Sequence, residues 1–254
     1  MDEQVIVVSD VWKKFRIHKE RATMLKEAFI NLFRFRGGNR YEEFWALRGV
    51  SLSVRRGEAV GIIGRNGAGK STLFKVMCGV LRPERGTVEI RGRISPLIEL
   101  EAGFHPELTG IENIYLNGAI YGMSRREVQE KLPQIVEFSG LGKFIHSPIR
   151  TYSSGMHARL GFSLAINVDA DILLVDEVLA VGDAEFQEKC YRRIKEMRQE
   201  GVTIVYVSHN LDSVIDICDR ALWLDEGEIK MEGDPEEVVK SYLHTAEDLG
   251  IPPN

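Results

Sequence analysis

Gly64-Arg65-Asn66-Gly67-Ala68-Gly69-Lys70-Ser71 places two glycines, then Lys and Ser, at the spacing that lets a backbone curl around phosphate. An apolar run, Ala59–Ile63, leads into the loop, and Thr72–Cys78, which reads as a helix, leads out. In that setting successive amide N–H groups point at phosphate oxygens, and the helix N-terminus adds its partial positive charge. Asn66, Gly67, Ala68, Gly69, Lys70, Ser71 and Thr72 are therefore the expected nucleotide-binding set. Lys70 is suited to neutralise the β- and γ-phosphates of ATP, and the Ser71 hydroxyl to hold Mg2+. Kinases, GTPases and many motors share such a loop, so it names a nucleotide and not a job.

Roughly a hundred residues later, four aliphatics (Ile172-Leu173-Leu174-Val175) end in Asp176-Glu177. A strand buried on both faces delivers such acids at its C-terminal edge, where ligands bind in open α/β sheets. There Asp176 is placed to hold Mg2+, and Glu177, turned differently, to act as general base on the attacking water. A third apolar run, Thr203–Val207, ends in Ser208-His209. A histidine just past a strand of the same sheet can reach a γ-phosphate and keep the water and Glu177 in line. His209 earns that role only beside the other two motifs, because a lone histidine is usually structural.

The elements that must position these groups alternate between short β-rich runs and longer helical stretches. Strands are expected near Val5–Val8, Ser51–Val54, Ala59–Ile63, Thr87–Ile90, Ile172–Val175, Thr203–Val207 and Ala221–Leu224. Several are apolar almost throughout, as in a parallel sheet covered on both faces. Thr109 with Glu112 and Ser124 with Glu127 have capping-box spacing, and Asp183 is a plausible N-cap for a helix striped by Phe186, Cys190, Ile194 and Met197. Asp225-Glu226-Gly227 reads as a hairpin turn. The expected class is α/β with a mixed, mostly parallel sheet and an antiparallel edge.

Composition narrows the function classes. The chain has 254 residues, 44% hydrophobic and 28% charged, enough for a real core, and its net charge of −5 argues against a nucleic-acid-binding surface covering the whole protein, so no nucleic-acid partner is expected. Cys78, Cys190 and Cys218 are odd in number and lack metal-ligand spacing, so they read as reduced core thiols. No apolar run reaches the roughly 18 residues of a spanning helix, and no secretory signal opens the chain.

Tyr152-Ser153-Ser154-Gly155-Met156, about twenty residues before Asp176 and followed by Arg159, completes a set. Phosphate loop, signature, paired acids and histidine, in this order across nearly the whole chain, resemble the ABC ATPase family. The resemblance implies a P-loop NTPase core with an α-helical signature subdomain, about 105–165, inside a single nucleotide-binding domain spanning 1–245, with 246–254 a tail or linker. It also implies a homodimer in which Ser153 and the amide of Gly155 of one copy cap the γ-phosphate held by the other. The usual motif is Leu-Ser-Gly-Gly-Gln, and this chain departs from it at Tyr152, Ser154 and Met156. Ala180-Val181-Gly182-Asp183 matches the family's D-loop, where Asp183 communicates across the dimer. The adenine-stacking aromatic falls at Phe15, with Trp12 as competitor. The family's Q-loop glutamine has no counterpart between Ile98 and Phe104, where Glu99 or Glu101 are the candidates to replace it.

About thirty residues separate Phe15 from Leu47, where the family normally has a short turn. In this insertion, about 18–44, Met24, Leu25, Ala28, Phe29, Leu32 and Phe33 recur at helical spacing between basic residues. Such a helix lies on a membrane surface or partner helix, or else covers its own domain's core. The insertion, the Glu99–Gly110 stretch and the Tyr-Ser-Ser-Gly-Met signature together look like the ATP-binding subunits of bacterial polysaccharide exporters. That likeness implies a peripheral protein on the cytoplasmic side of the inner membrane, an integral membrane permease as partner, and a lipid-linked polysaccharide (O-antigen, capsule or teichoic acid) as indirect cargo. The competing readings are a soluble ABC ATPase acting on ribosomes or DNA, and a nucleotide-sensing module with negligible turnover.

Overall fold

The computed structural model describes residues 3–18, 41–97, 103–176 and 182–248. The calls on Glu177, on Glu99 and Glu101, on Ala180-Val181, on the Met24–Phe33 stripe and on the tail from 249 onward lie outside these residues.

Two long strands, β1 (Gln4–His18) and β2 (Tyr41–Arg55), pair antiparallel, and β1 pairs on its other side with β4 (Arg85–Ile90). Residues 41–44, expected to belong to the insertion, are thus part of β2. The second sheet has the order β5-β6-β7-β3-β8-β9, formed by β3 (Ala59–Ile63), β5 (Ile94–Leu97), β6 (Ile172–Val175), β7 (Thr203–Val207), β8 (Arg220–Asp225) and β9 (Glu228–Gly233). Its first five strands run parallel, and β9 closes the edge antiparallel to β8 through the expected turn at Asp225–Gly227.

Every residue of β3, β6 and β7 is buried, and alternate side chains enter different cores. Val60, Ile62, Leu174 and Val207 pack toward α1 (Lys70–Met77) and the three-stranded sheet. Ala59, Ile63, Leu173, Val175 and Tyr206 pack with residues of four other helices. Those are α4 (Ser154–Ala165), α5 (Ala184–Gln199), α6 (Leu211–Ile217) and α7 (Pro235–Asp248). A period-2 pattern with both faces apolar therefore produces a layered α/β body.

A third core joins α2 (Gly110–Ile120), α3 (Arg125–Ser139) and α4 around Ile114, Val128, Ile135, Tyr152 and Leu160. Both capping boxes form. Thr109 Oγ1 accepts from the Glu112 amide at 3.2 Å while the Glu112 carboxylate accepts from the Thr109 amide at 2.8 Å, and Ser124 with Glu127 repeats the exchange. Asp183 caps α5, accepting from the Phe186 amide at 3.0 Å, and the stripe Phe186, Cys190, Ile194, Met197 is buried.

Candidate functional site

Strand register decides which motifs share an edge. β7 lies between β6 and β3, with Val175 opposite Tyr206 and Ile62 opposite Val207. The C-terminal ends of β3, β6 and β7 are therefore level, and each hands the chain to one motif: Gly64, Asp176 and Ser208-His209. Adjacent strands lie about 4.8 Å apart, so the ladder brings the starts of all three motifs to one edge of the sheet.

The loop itself is shaped by close backbone approaches. Gly64 has φ +149°, and a Cβ there would lie 2.1 Å from the Leu224 carbonyl oxygen. Gly69 has φ +109°, and its Cβ would meet the Ala46 carbonyl oxygen at 2.5 Å. Only glycine fits either position. Gly69 then caps α1, whose opening residue Lys70 is 4% exposed. Lys70 Nζ donates to the carbonyls of Gly64 at 2.6 Å and Arg65 at 3.1 Å. Burying an ammonium is costly without such acceptors.

A cleft of about 260 Å³ opens over this turn, lined by Asn66, Gly67, Gly69, Lys70, Ser71 and Thr72 and by Phe15, Phe44 and Ala46. Ala68 is buried beneath it, and its carbonyl accepts from the Gly227 amide at 2.9 Å. The two candidate aromatics are packed differently. Phe15 lines the cleft, whereas Trp12 stands edge-on to Trp45 and donates through Nε1 to Asp10 at 2.8 Å. Phe44, which sequence reasoning missed, faces Phe15 directly across the β1–β2 ladder. The only available signal was an aromatic beyond a long insertion, and the insertion hid the register.

Asp176 follows β6 half-buried. It is near enough to Cys78 that its charge adds to burial, the larger cause, in pushing that thiol up to about 12. Among the described residues no three His, Cys, Asp or Glu side chains gather as a metal cage. A hydroxyl (Ser71, in the cleft lining) and a carboxylate (Asp176) would suit Mg2+, which takes oxygen donors and keeps several waters.

The remaining candidates lie apart from the phosphate cleft. Ser153 caps α4, its hydroxyl accepting from the Met156 amide at 3.3 Å. A Cβ on Gly155 would meet only ordinary contacts, the nearest being Gly182 Cα at 3.9 Å. Among the described residues nothing therefore demands a glycine there. The departure at Tyr152 has a local reason: its ring is 8% exposed in the helical core and its hydroxyl donates to the Phe144 carbonyl at 2.7 Å. Asp183 is held low in pKa first by the Phe186 amide and then by Arg159, whose Nη2 lies 2.7 Å from its Oδ2. Arg159 also lies over the Phe186 ring at 4.8 Å, so the signature helix and the start of α5 are tied together. His209 lines a different, larger cleft of about 760 Å³ beside Ala184, Gln187 and Ser208.

A model of the family described as ABC transporter matches residues 47–180. The O-antigen export system ATP-binding protein RfbB of Klebsiella pneumoniae is 46% identical over 243 residues, covering 94% of this chain and 98% of that protein. The chain belongs to the ABC transporter family. As an ABC ATPase it binds and hydrolyses ATP. Its further relatives include ABC transporter protein AbcA of Aeromonas salmonicida, 48% identical over 95% of this chain and 77% of that one. The teichoic acids export ATP-binding protein TagH of Bacillus anthracis is 42% identical over 91% of this chain, but only 41% of its own length is matched. Among solved structures, a dimeric ATP-binding cassette bound to ADP and Pi superposes with a TM-score of 0.71 at 22% identity. That superposition covers 91% of this chain and 98% of the cassette, and it fixes the fold.

Proposed function

We propose that this ABC ATPase powers export of a lipid-linked polysaccharide, working as a homodimer on the cytoplasmic face of a bacterial inner membrane beside a separate membrane-spanning permease. The observation that carries the cargo is the near full-length match to an O-antigen export ATP-binding protein, 94% of this chain and 98% of that one. Among the described residues no helix is long and apolar enough to cross a membrane, so in this reading the path for polymer belongs to the partner.

In this reading the loop amides, Lys70, Asn66 and Thr72 bind the ATP phosphates while Phe15 stacks on the base. Ser71 and Asp176 hold Mg2+, which when bound offsets the charge of the phosphate oxygens. Glu177 takes a proton from water as its oxygen attacks the γ-phosphorus. The bond from that phosphorus to the β–γ bridging oxygen breaks, and ADP leaves with the electron pair. His209 keeps water and γ-phosphate aligned. Ser153 and the Gly155 amide belong to the site of a second copy, and Asp183 relays between copies. Two features support that trans arrangement. None of Tyr152–Met156 lines the phosphate cleft, and among the described residues Gly155 has no local reason to be glycine.

Capture of the tagged chain from bacterial membranes, with ATPase assays on the purified protein, tests both halves. An integral membrane protein should co-purify, surface polymer should be lost on deletion, and Lys70→Ala should abolish turnover. Co-purification with ribosomes in place of a membrane protein would overturn the export reading. Turnover unchanged in Lys70→Ala would overturn the catalytic one.

A further inference from the structure

His209 stands between β7 and α6, and the residues on either side of it are joined to one another through side-chain hydroxyls. Ser208 Oγ accepts from the Asn210 amide at 3.0 Å, closing a turn whose middle residue is His209. Asn210 Oδ1 caps α6 by accepting from the Ser213 amide at 3.1 Å, and the Ser213 hydroxyl donates back to the Asn210 carbonyl at 2.6 Å. From the strand side the Tyr206 hydroxyl donates to Ser213 Oγ at 3.0 Å, and Ser208 Oγ lies 3.3 Å from the same atom. Tyr206, Ser208 and Ser213 are all buried.

Counting protons orders this ring. A serine hydroxyl has one proton to donate and two lone pairs to accept with. Ser213 commits its proton to the Asn210 carbonyl, the shortest of its contacts. Its lone pairs then take the protons of Tyr206 and Ser208, so Ser208 is the donor at the 3.3 Å contact. Ser208 keeps a lone pair for the Asn210 amide. Ser213 is thereby saturated, and it is the hub through which the strand, the turn and the helix start are joined. Apolar residues at 206, 208 and 213 could fill this space without any partner, so core packing alone does not account for three buried hydroxyls here.

We propose that Ser213 is a positioning residue for ATP hydrolysis: through Ser208 and Asn210 it fixes the backbone on both sides of His209, and with it the aim of the imidazole. The proposal rests on the reading of His209 as the group that keeps water and γ-phosphate aligned. Alignment is sensitive to placement, since a shift of about 1 Å can cost about a hundredfold in rate. Ser213→Ala robs the buried Tyr206 and Ser208 hydroxyls of their acceptor, so the turn around His209 must rearrange to satisfy them. Tyr206→Phe is milder, because Ser213 still reaches both Asn210 and Ser208. The phosphate loop follows a different strand, so ATP binding is spared in both variants.

Single-turnover hydrolysis and equilibrium ATP binding by the full chain test this, with Ser213→Ala, His209→Ala, the double variant and Tyr206→Phe beside wild type. Ser213→Ala should slow hydrolysis by about ten- to a hundredfold while the Kd for ATP stays within about twofold. In the His209→Ala background the same substitution should change the rate by less than about twofold, because no imidazole is left to aim. Tyr206→Phe should lose less than about threefold. A Ser213→Ala rate equal to that of wild type, an equal loss in both His209 backgrounds, or a loss carried by Kd alone overturns the positioning role. A Tyr206→Phe loss as large as that of Ser213→Ala overturns Ser213 as the hub. His209→Ala hydrolysing as fast as wild type overturns the histidine reading instead. Should Ser213→Ala not fold, Ser213→Cys keeps a side chain of similar shape with only a weak donor and acceptor, and carries the same comparison.

Discussion

Tyr152 and Gly110 hold the signature segment against the helical core through a contact that can be taken apart quantitatively. A Cβ built on Gly110 would lie 2.5 Å from the Tyr152 hydroxyl oxygen, 2.8 Å from Ile145 Cδ1 and 2.9 Å from the Ile145 carbonyl oxygen. Gly110 opens α2, where alanine would otherwise gain about 1 kcal/mol of helix propensity. Forcing a methyl into filled space costs about 1–3 kcal/mol. The overlap involves backbone as well as side chain, so the higher end applies, and Gly110→Ala should lose about 1–2 kcal/mol net. Tyr152→Phe removes a 2.7 Å hydrogen bond to Phe144, yet that carbonyl still accepts from the Ser147 amide at 2.8 Å. No acceptor is orphaned, and the loss should be about 1 kcal/mol. In the double variant the missing hydroxyl relieves one of three overlaps and leaves both Ile145 contacts. The two losses should then sum to about 0.5–1 kcal/mol more than the double variant shows. Urea unfolding followed by circular dichroism measures all four species. A stabilised Gly110→Ala, or additivity within about 0.3 kcal/mol, would refute the packing argument.

Further expectations concern titrating groups. Glu127 is held at about 2, below its ordinary 4.5, chiefly by the Ser124 hydroxyl and amide and then by Arg93. A depressed carboxylate stabilises the fold above its unfolded value and loses that contribution as pH falls through the folded one. The Tm advantage of wild type over Glu127→Gln should therefore be full above pH 4.5 and vanish toward pH 2, and a pH-independent difference would contradict the capping role. Burial is the first cause that pushes Cys190 and Cys218 up to about 12, so a thiol reagent near pH 8 should leave both unlabelled until the protein unfolds. Rapid labelling of native Cys218 would contradict its packing.

The central strands and their motifs were legible because burial on both faces leaves an uninterrupted aliphatic run, as in Ile172–Val175, and the residue after such a run sits at the sheet edge. The helix starts were legible for a different reason. Capping is local chemistry, and Thr109, Ser124 and Asp183 each find their partner three residues on. β5 was hidden by Pro96, which a central strand excludes but an edge strand tolerates, and β5 is an edge of its sheet. The true lengths of β1 and β2 were hidden by irregular register near Val8, Val11 and Lys13, which breaks the alternation that marks a strand. Phe44 was hidden by topology, since its neighbour across the ladder lies 29 residues away by the numbering of Phe15 and Phe44.

The ammonium of Lys70 is already seated, held at 2.6 and 3.1 Å by the carbonyls of its own turn. An arriving anion therefore trades one set of acceptors for another and does not have to gather a slack segment around itself. The receptor keeps its curvature between visits, and little ordering entropy is charged to each new guest. The work of shaping the loop is done once, when the protein itself folds.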